Sequence, residues 1–183
     1  MQLRRAQLLL AALLAIAGTA VGRAGPPSPE PSLESRVRAA FVFNFIQFVD
    51  WPEASLAKGD DPIVIGVVDP DPLEGCLATA IEGKTVKGHR LSIRRVTAEE
   101  VGSCHVLVVG SANAGKSAEI LKQVKEASVL TIGDYEAFTE SGGVVRFYVD
   151  DRKERFEINV AAARRAGLQI SSKLLKLAKV VNK

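Results

Sequence analysis

Ile63-Val-Ile-Gly-Val-Val68 carries aliphatic and β-branched side chains at consecutive positions, and the segment His105 to Val109 repeats the pattern as Val-Leu-Val-Val. A strand with one face in water alternates apolar and polar residues; a strand apolar on both faces needs cover on both sides, which a parallel sheet flanked by helices supplies. Working outward, Leu91 to Val96 and Val129 to Ile132 read as further strands, while Leu73 to Glu82 and Ala114 to Ala127 read as helices. The alternation predicts an α/β fold, a single layered domain with a mostly parallel sheet flanked by helices.

The flanks complete the domain. Ser32 is placed to cap a helix running from Leu33 to Val49, with Val37, Ala40, Phe41, Asn44, Phe45 and Phe48 on one stripe and Val42, Phe43 and Ile46 off it. Trp51-Pro52 stops it. Downstream, Gly142-Gly143 opens Val144 to Val149, Asp150-Asp151 forms a tight turn, and Glu154 to Asn159 returns as the second half of a C-terminal β-hairpin. A long terminal helix is expected from Val160 to about Val180, with Gly167 as its one point of interruption.

Of the 183 residues, 47% are hydrophobic and 25% charged, the profile of an ordinary globular chain. Residues 1–24 read as a secretory signal: Arg4 and Arg5, an apolar stretch from Leu8 to Ala17, then small residues suited to cleavage. Residues 25–32 hold four prolines and read as a tether, leaving 33–183 as the domain. Cleavage after Ala24 removes three arginines and no acid, so the formal charge of +3 falls to zero. A neutral protein has no electrostatic reason to bind nucleic acid. The local exception is the segment after Glu157, which holds Arg164, Arg165, Lys173, Lys176, Lys179 and Lys183 and no acid.

Gly110-Ser-Ala-Asn-Ala-Gly115-Lys116-Ser117 fits the phosphate-binding loop letter for letter and lies between a strand and a helix. In a working site Lys116 would hold phosphate and Ser117 magnesium, with Asp134 after a later strand. An exported chain, however, works where nucleoside triphosphates are effectively absent, so we read Gly110, Gly115, Lys116 and Ser117 as a chance match, with Asn113 capping the next helix. With only His89 and His105, no nucleophile triad is indicated, and no spacing suits zinc. Asp69, Asp71 and Glu74 follow the first strand, where α/β folds often place binding residues. Cys76 and Cys104 are the two cysteines. An even count in an exported chain suggests a disulfide, but they flank opposite ends of the predicted sheet; a bridge and two separate thiols both remain open.

Ala39-Ala-Phe-Val-Phe-Asn-Phe-Ile-Gln-Phe-Val-Asp-Trp-Pro52, Cys104-His-Val-Leu-Val-Val109, Gly142-Gly-Val-Val-Arg-Phe147 and above all Arg155 to Ala178 resemble the YfiR family, over about Ser35 to Val181. The resemblance implies a periplasmic regulator rather than an enzyme, without cofactor or metal. It would bind the periplasmic part of an inner-membrane diguanylate cyclase, hold it inactive, and so control cyclic di-GMP and biofilm formation. An outer-membrane lipoprotein is a second partner in such systems, and homodimers occur. Phe147, Phe156 and Glu157 are the partner contacts it suggests. The chain departs from redox-responsive relatives, which carry four cysteines, so the resemblance leaves a disulfide or redox role for Cys76 and Cys104 open.

The alternative is a periplasmic small-ligand module using the crevice between Asp69–Gly75 and Gly110–Ser117. An exposed apolar patch at the hairpin would favour the regulator, and a closed pocket with convergent polar groups at those loops the ligand module. Lys116→Ala should leave fold and function intact; lost function with retained thermal stability would restore the nucleotide reading.

Overall fold

A computed structural model describes residues 31–56, 61–68, 71 and 73–183. The signal segment and most of the tether lie outside the described residues, and Pro31–Lys183 forms one compact unit. Helix α1 is Leu33–Phe48, and the Ser32 side chain accepts a hydrogen bond from the Ser35 amide. Strands β1 (Val49–Asp50) and β2 (Ile63–Val68), helix α2 (Leu73–Ile81), and strands β3 (Thr85–Val86), β4 (His89–Val96) and β5 (Val106–Val109) follow. Helix α3 (Ala114–Gln123), strands β6 (Leu130–Gly133), β7 (Val145–Asp150) and β8 (Lys153–Asn159) and helix α4 (Val160–Arg165) come next. The chain closes with β9 (Gln169–Ile170), α5 (Ser172–Leu175) and β10 (Lys179–Val181).

Eight strands form one mixed sheet in the order β10-β8-β7-β6-β5-β2-β4-β3. Pairing is parallel except for the β7–β8 hairpin and β3–β4, so the α/β reading of the sequence holds. Side chains of the central strands alternate between two cores, as a doubly covered sheet requires. Ile63, Ile65, Val67, Val106, Val108, Leu130 and Ile132 face the core shared with α1, α2 and α4. Leu107, Val109 and Val129 face the other, under α3.

The terminal segment corrects the sequence reading. Val160 does not begin a long helix: α4 ends at Arg165, Gly167 adopts φ +71°, and the chain turns back as β9, α5 and β10. A left-handed residue ends a helix by satisfying its last carbonyls, and here the Leu168 amide donates to Ala163 O at 2.9 Å. β9 pairs with β1, and β10 extends the sheet beside β8. These exchanges bury Leu168 and Leu174 while leaving Leu177 out. The buried face of α1 is likewise rotated from the expected stripe, to Ala39, Val42, Phe45 and Ile46, with Phe48 and Asn44 outside. The hairpin turn falls on Asp151 and Arg152, one residue later than expected, both at positive φ as a two-residue loop demands.

Phe138, fully buried, sits where side chains at two glycines would be: a Cβ at Gly133 would meet its ring at 2.4 Å and one at Gly143 at 2.2 Å. Gly75, on an exposed part of α2, has open space around it. Gly143→Ala should therefore destabilise by about 1–3 kcal/mol through overpacking, whereas Gly75→Ala should stabilise by about 0.5–1 kcal/mol through helix propensity. Urea unfolding of the two variants checks the opposite signs.

Candidate functional site

The strand order reverses at β2: the connection through α2 leads to β4 on one side, and β5 and β6 lie on the other. α2 packs in the core with α1 and α3 in the opposite core, so the loops leaving β2 and β5 part to opposite faces. Such a parting leaves a crevice beyond the carboxyl ends of the strands. The crevice is present as a cavity of about 100 Å³, lined by Ser35 and Arg38 of α1, Asp71 and Leu73 after β2, Gly110–Ala112 after β5, Asp134 after β6, and Phe147. It is roughly three water volumes, small against the roughly 300–1,000 Å³ of drug-sized pockets.

Arg38 organises it. Its Nη2 meets Glu34 at 2.6 Å, Nη1 meets Asp134 Oδ2 at 2.9 Å, and Nε meets Glu154 Oε1 at 3.0 Å. One guanidinium thus joins α1, the end of β6 and the start of β8, using its fixed fork of donors. Burial alone would lower its pKa, but Glu154, Glu34 and Asp134 outweigh that and raise it. Asp134 Oδ1 is buried without a hydrogen-bond partner. Asp71 Oδ1 accepts from the Leu73 amide at 2.8 Å, and its other oxygen lies against Gly110, where a Cβ would come within 2.2 Å. Burial pushes the Asp71 carboxyl above its usual range, with Asp134 adding repulsion. Burial also raises Glu154, despite Arg38. Four carboxylates around one guanidinium make a polar, net acidic crevice.

The loop that matched a phosphate-binding motif forms part of this crevice. Ser111–Asn113 closes as a turn of 3-10 helix, and the Ser117 hydroxyl is buried and donates to Ala114 O at 2.6 Å. The Asn113 side chain reaches back to Val68 O at 3.3 Å instead of capping α3. A carboxylate held against Gly110 repels a phosphate. Asp69 lies outside the described residues, and Glu74 points away to an ion pair with Arg95 at 2.6 Å.

Phe147, Phe156 and Glu157, expected as partner contacts, are instead buried, at 2%, 5% and 3% exposure. The two rings pack on Phe41 and Phe45 of α1, with centroids 4.9–6.1 Å apart. Glu157 accepts hydrogen bonds from Arg146 Nε at 2.9 Å and the Thr139 hydroxyl at 2.5 Å, and faces Lys179 at 3.6 Å. Burial acts to raise its pKa, but the bonds from Arg146 and Thr139 and the charges of Arg146 and Lys179 hold it below the usual range. What the hairpin offers outward is Val149, 59% exposed.

Cys76 and Cys104 are free thiols in opposite cores, which the sheet separates. Burial raises the Cys104 pKa against the influence of Arg94 and Ser103. A thiol held protonated in this way is a poor nucleophile. His105 is a structural residue: Nδ1 accepts from the Val64 amide at 3.0 Å and Nε2 faces Ser55 O at 3.0 Å. Among the described residues no His, Cys, Asp and Glu group is placed to hold a metal, and no helix is long and apolar enough to cross a membrane.

The YfiR/HmsC-like family model matches residues 35–179. The chain belongs to the YfiR/HmsC-like family. No curated protein matches it. Among solved structures, a conserved domain protein from Vibrio cholerae O1 biovar El Tor superposes with TM-score 0.55 at 14% identity, covering 80% of this chain. This YfiR/HmsC-like chain spans 59% of that structure's length, and the likeness is one of fold. The ABC domain from Streptococcus pneumonia, solved in complex with L-Trp, gives TM-score 0.48 at 12% identity, covering 78% of this chain and 60% of its own.

Sequence reasoning found the two loops of the crevice but missed Arg38 and Glu154. The one local trace of Arg38 is its four-residue spacing from Glu34. The carboxyls should act oppositely on stability. Asp71, raised on folding, destabilises the ionised native state, so Asp71→Asn should be more stable than wild type near neutral pH, with the gap closing as pH falls through the usual carboxylate range. Glu157, lowered on folding, stabilises above its unfolded pKa, so Glu157→Gln should be less stable near neutral pH and converge with wild type as pH falls below that range. Thermal midpoints across a pH series read both.

Proposed function

We propose that this protein is an exported regulator that holds an inner-membrane diguanylate cyclase inactive from the periplasmic side. The match to the YfiR/HmsC-like family over residues 35–179 carries this reading. The secretory signal read in residues 1–24 places the protein on the side of the membrane where such a partner exposes its sensory part. A binding protein of this kind acts by differential affinity: it prefers one state of the cyclase and shifts the population toward it. Phe147, Phe156 and Glu157 serve by holding the hairpin rigid so that its outer surface, with Val149, meets the partner. An outer-membrane lipoprotein that competes for the regulator would relieve repression.

The crevice favours a second element of the reading, the small-ligand module. Convergent Arg38, Asp71 and Asp134 around a partly open crevice supply the polar groups that such a module uses to orient a ligand. Arg38 links the crevice to Glu154 beside the hairpin turn, so a ligand that competed for Asp134 would act on the hairpin that meets the cyclase. The regulator and the ligand module are then one protein.

Deleting the gene should raise cellular cyclic di-GMP, and crosslinking the protein in envelopes should recover a membrane protein with a cyclase domain. Unchanged cyclic di-GMP together with recovery of the protein alone would rule out the cyclase partner and leave the ligand module.

A further inference from the structure

Charge is segregated along this chain. From Ile158 onward there are six basic side chains and no acidic one, and all six are exposed. The fold gathers them on three neighbouring elements. α4 packs beside β10, Arg165 Nη1 donates to the Lys183 carbonyl at 3.5 Å, and the single turn of α5 leads directly into β10. Leu174 turns inward at 3% exposure, which directs the other side of that turn outward. Lys173 within that turn, and Lys176 and Leu177 directly after it, are all exposed.

Two aliphatic side chains that alternate with these lysines along the chain are exposed: Leu177 at 73% and Val180 at 52%. β10 is the outermost strand of the sheet, so no further strand covers them. Lys179 faces Glu157 at 3.6 Å and Lys183 faces Glu140 at 2.6 Å. Among the described residues Arg164, Arg165, Lys173 and Lys176 have no ion-pair partner, so their charge is available to an outside surface.

We propose that this C-terminal edge docks on an anionic phospholipid bilayer. The composition favours lipid over a protein partner. Protein interfaces are depleted in lysine and enriched in aromatic residues, whereas residues 160–183 hold four lysines and no aromatic side chain. Lysines over phosphate headgroups, with short aliphatic side chains entering the acyl boundary, are the pattern of interfacial attachment. Each basic side chain near an anionic surface adds an attraction that salt screens within a Debye length. The attachment requires no cyclase, so it stands or falls separately from the regulatory reading. Where both hold, it confines the search for a membrane partner to two dimensions.

Residues 31–183, which contain both cores, should co-sediment with vesicles of mixed phosphatidylglycerol and phosphatidylethanolamine, fail to do so with phosphatidylcholine alone, and be released by added salt. Lys173→Glu combined with Lys176→Glu should weaken binding about tenfold or more. Leu177→Asp should weaken it as well; because all three side chains are exposed, thermal midpoints should not change. Absence of wild-type binding to anionic vesicles, or equal binding by either variant, overturns the proposal. Binding to poly-glutamate without binding to vesicles overturns it too and assigns the surface to an acidic protein segment.

Discussion

Phe41 and Phe45 of α1 lie against Phe147 and Phe156 of the hairpin, and the position of the crevice follows from that contact. The rings are held 4.9–6.1 Å apart in tilted, stacked and edge-on arrangements that aromatic quadrupoles favour. Phe45 and Phe147 are fully buried, and truncating a ring so placed costs about 3–5 kcal/mol. Arg38 stands one helical turn before Phe41, on the same side of α1. Docking the phenyl rings therefore carries the guanidinium over the strand ends, where it collects Asp134 and Glu154 and passes over the Phe147 ring at 5.7 Å. Without the aromatic contact, Arg38 would be a solvated side chain with an ordinary helical partner in Glu34.

The crevice is costly to the fold. A raised Asp71, a raised Glu154 and an unpartnered Asp134 oxygen are polar groups that the native state holds at a penalty. The hairpin network is the reverse case: Glu157 is less exposed to solvent, yet Arg146, Thr139 and Lys179 satisfy it and lower its pKa. Two acids in one domain thus shift in opposite directions because their surroundings differ.

The three features sit on distinct parts of one sheet. The crevice opens at the carboxyl ends of β2, β5 and β6, the hairpin turn projects from β7 and β8, and the basic edge runs along β10 beside β8. β8 joins them, since Glu154 at its start reaches Arg38 and Glu157 faces Lys179 of β10. A ligand, a protein partner and a bilayer could each act on the same strand without competing for one surface.

The sequence alone determined the layered α/β architecture, because uninterrupted aliphatic runs need cover on both faces and the helical segments that alternate with them supply it. Its boundaries for β2, α1 and α2 fall within a residue of those observed, since local periodicity, a Ser32 cap and proline mark them. It also placed the loops of the crevice. It could not place the terminal segment, where Gly167 and the pairing of β9 with β1 override helical spacing; a two-residue strand has no local signature and exists only through its partner. Nor could it join Arg38 to Asp134 and Glu154, residues separated by 96 and 116 positions. Nor could it show what covers Phe147, Phe156 and Glu157, the contacts that the family resemblance suggests: α1 buries the two rings on one face of the hairpin, and Thr139, Arg146 and Lys179 enclose Glu157 on the other. Burial, and with it the distinction between a contact and a support, is set by which elements meet, and only the tertiary structure decides that.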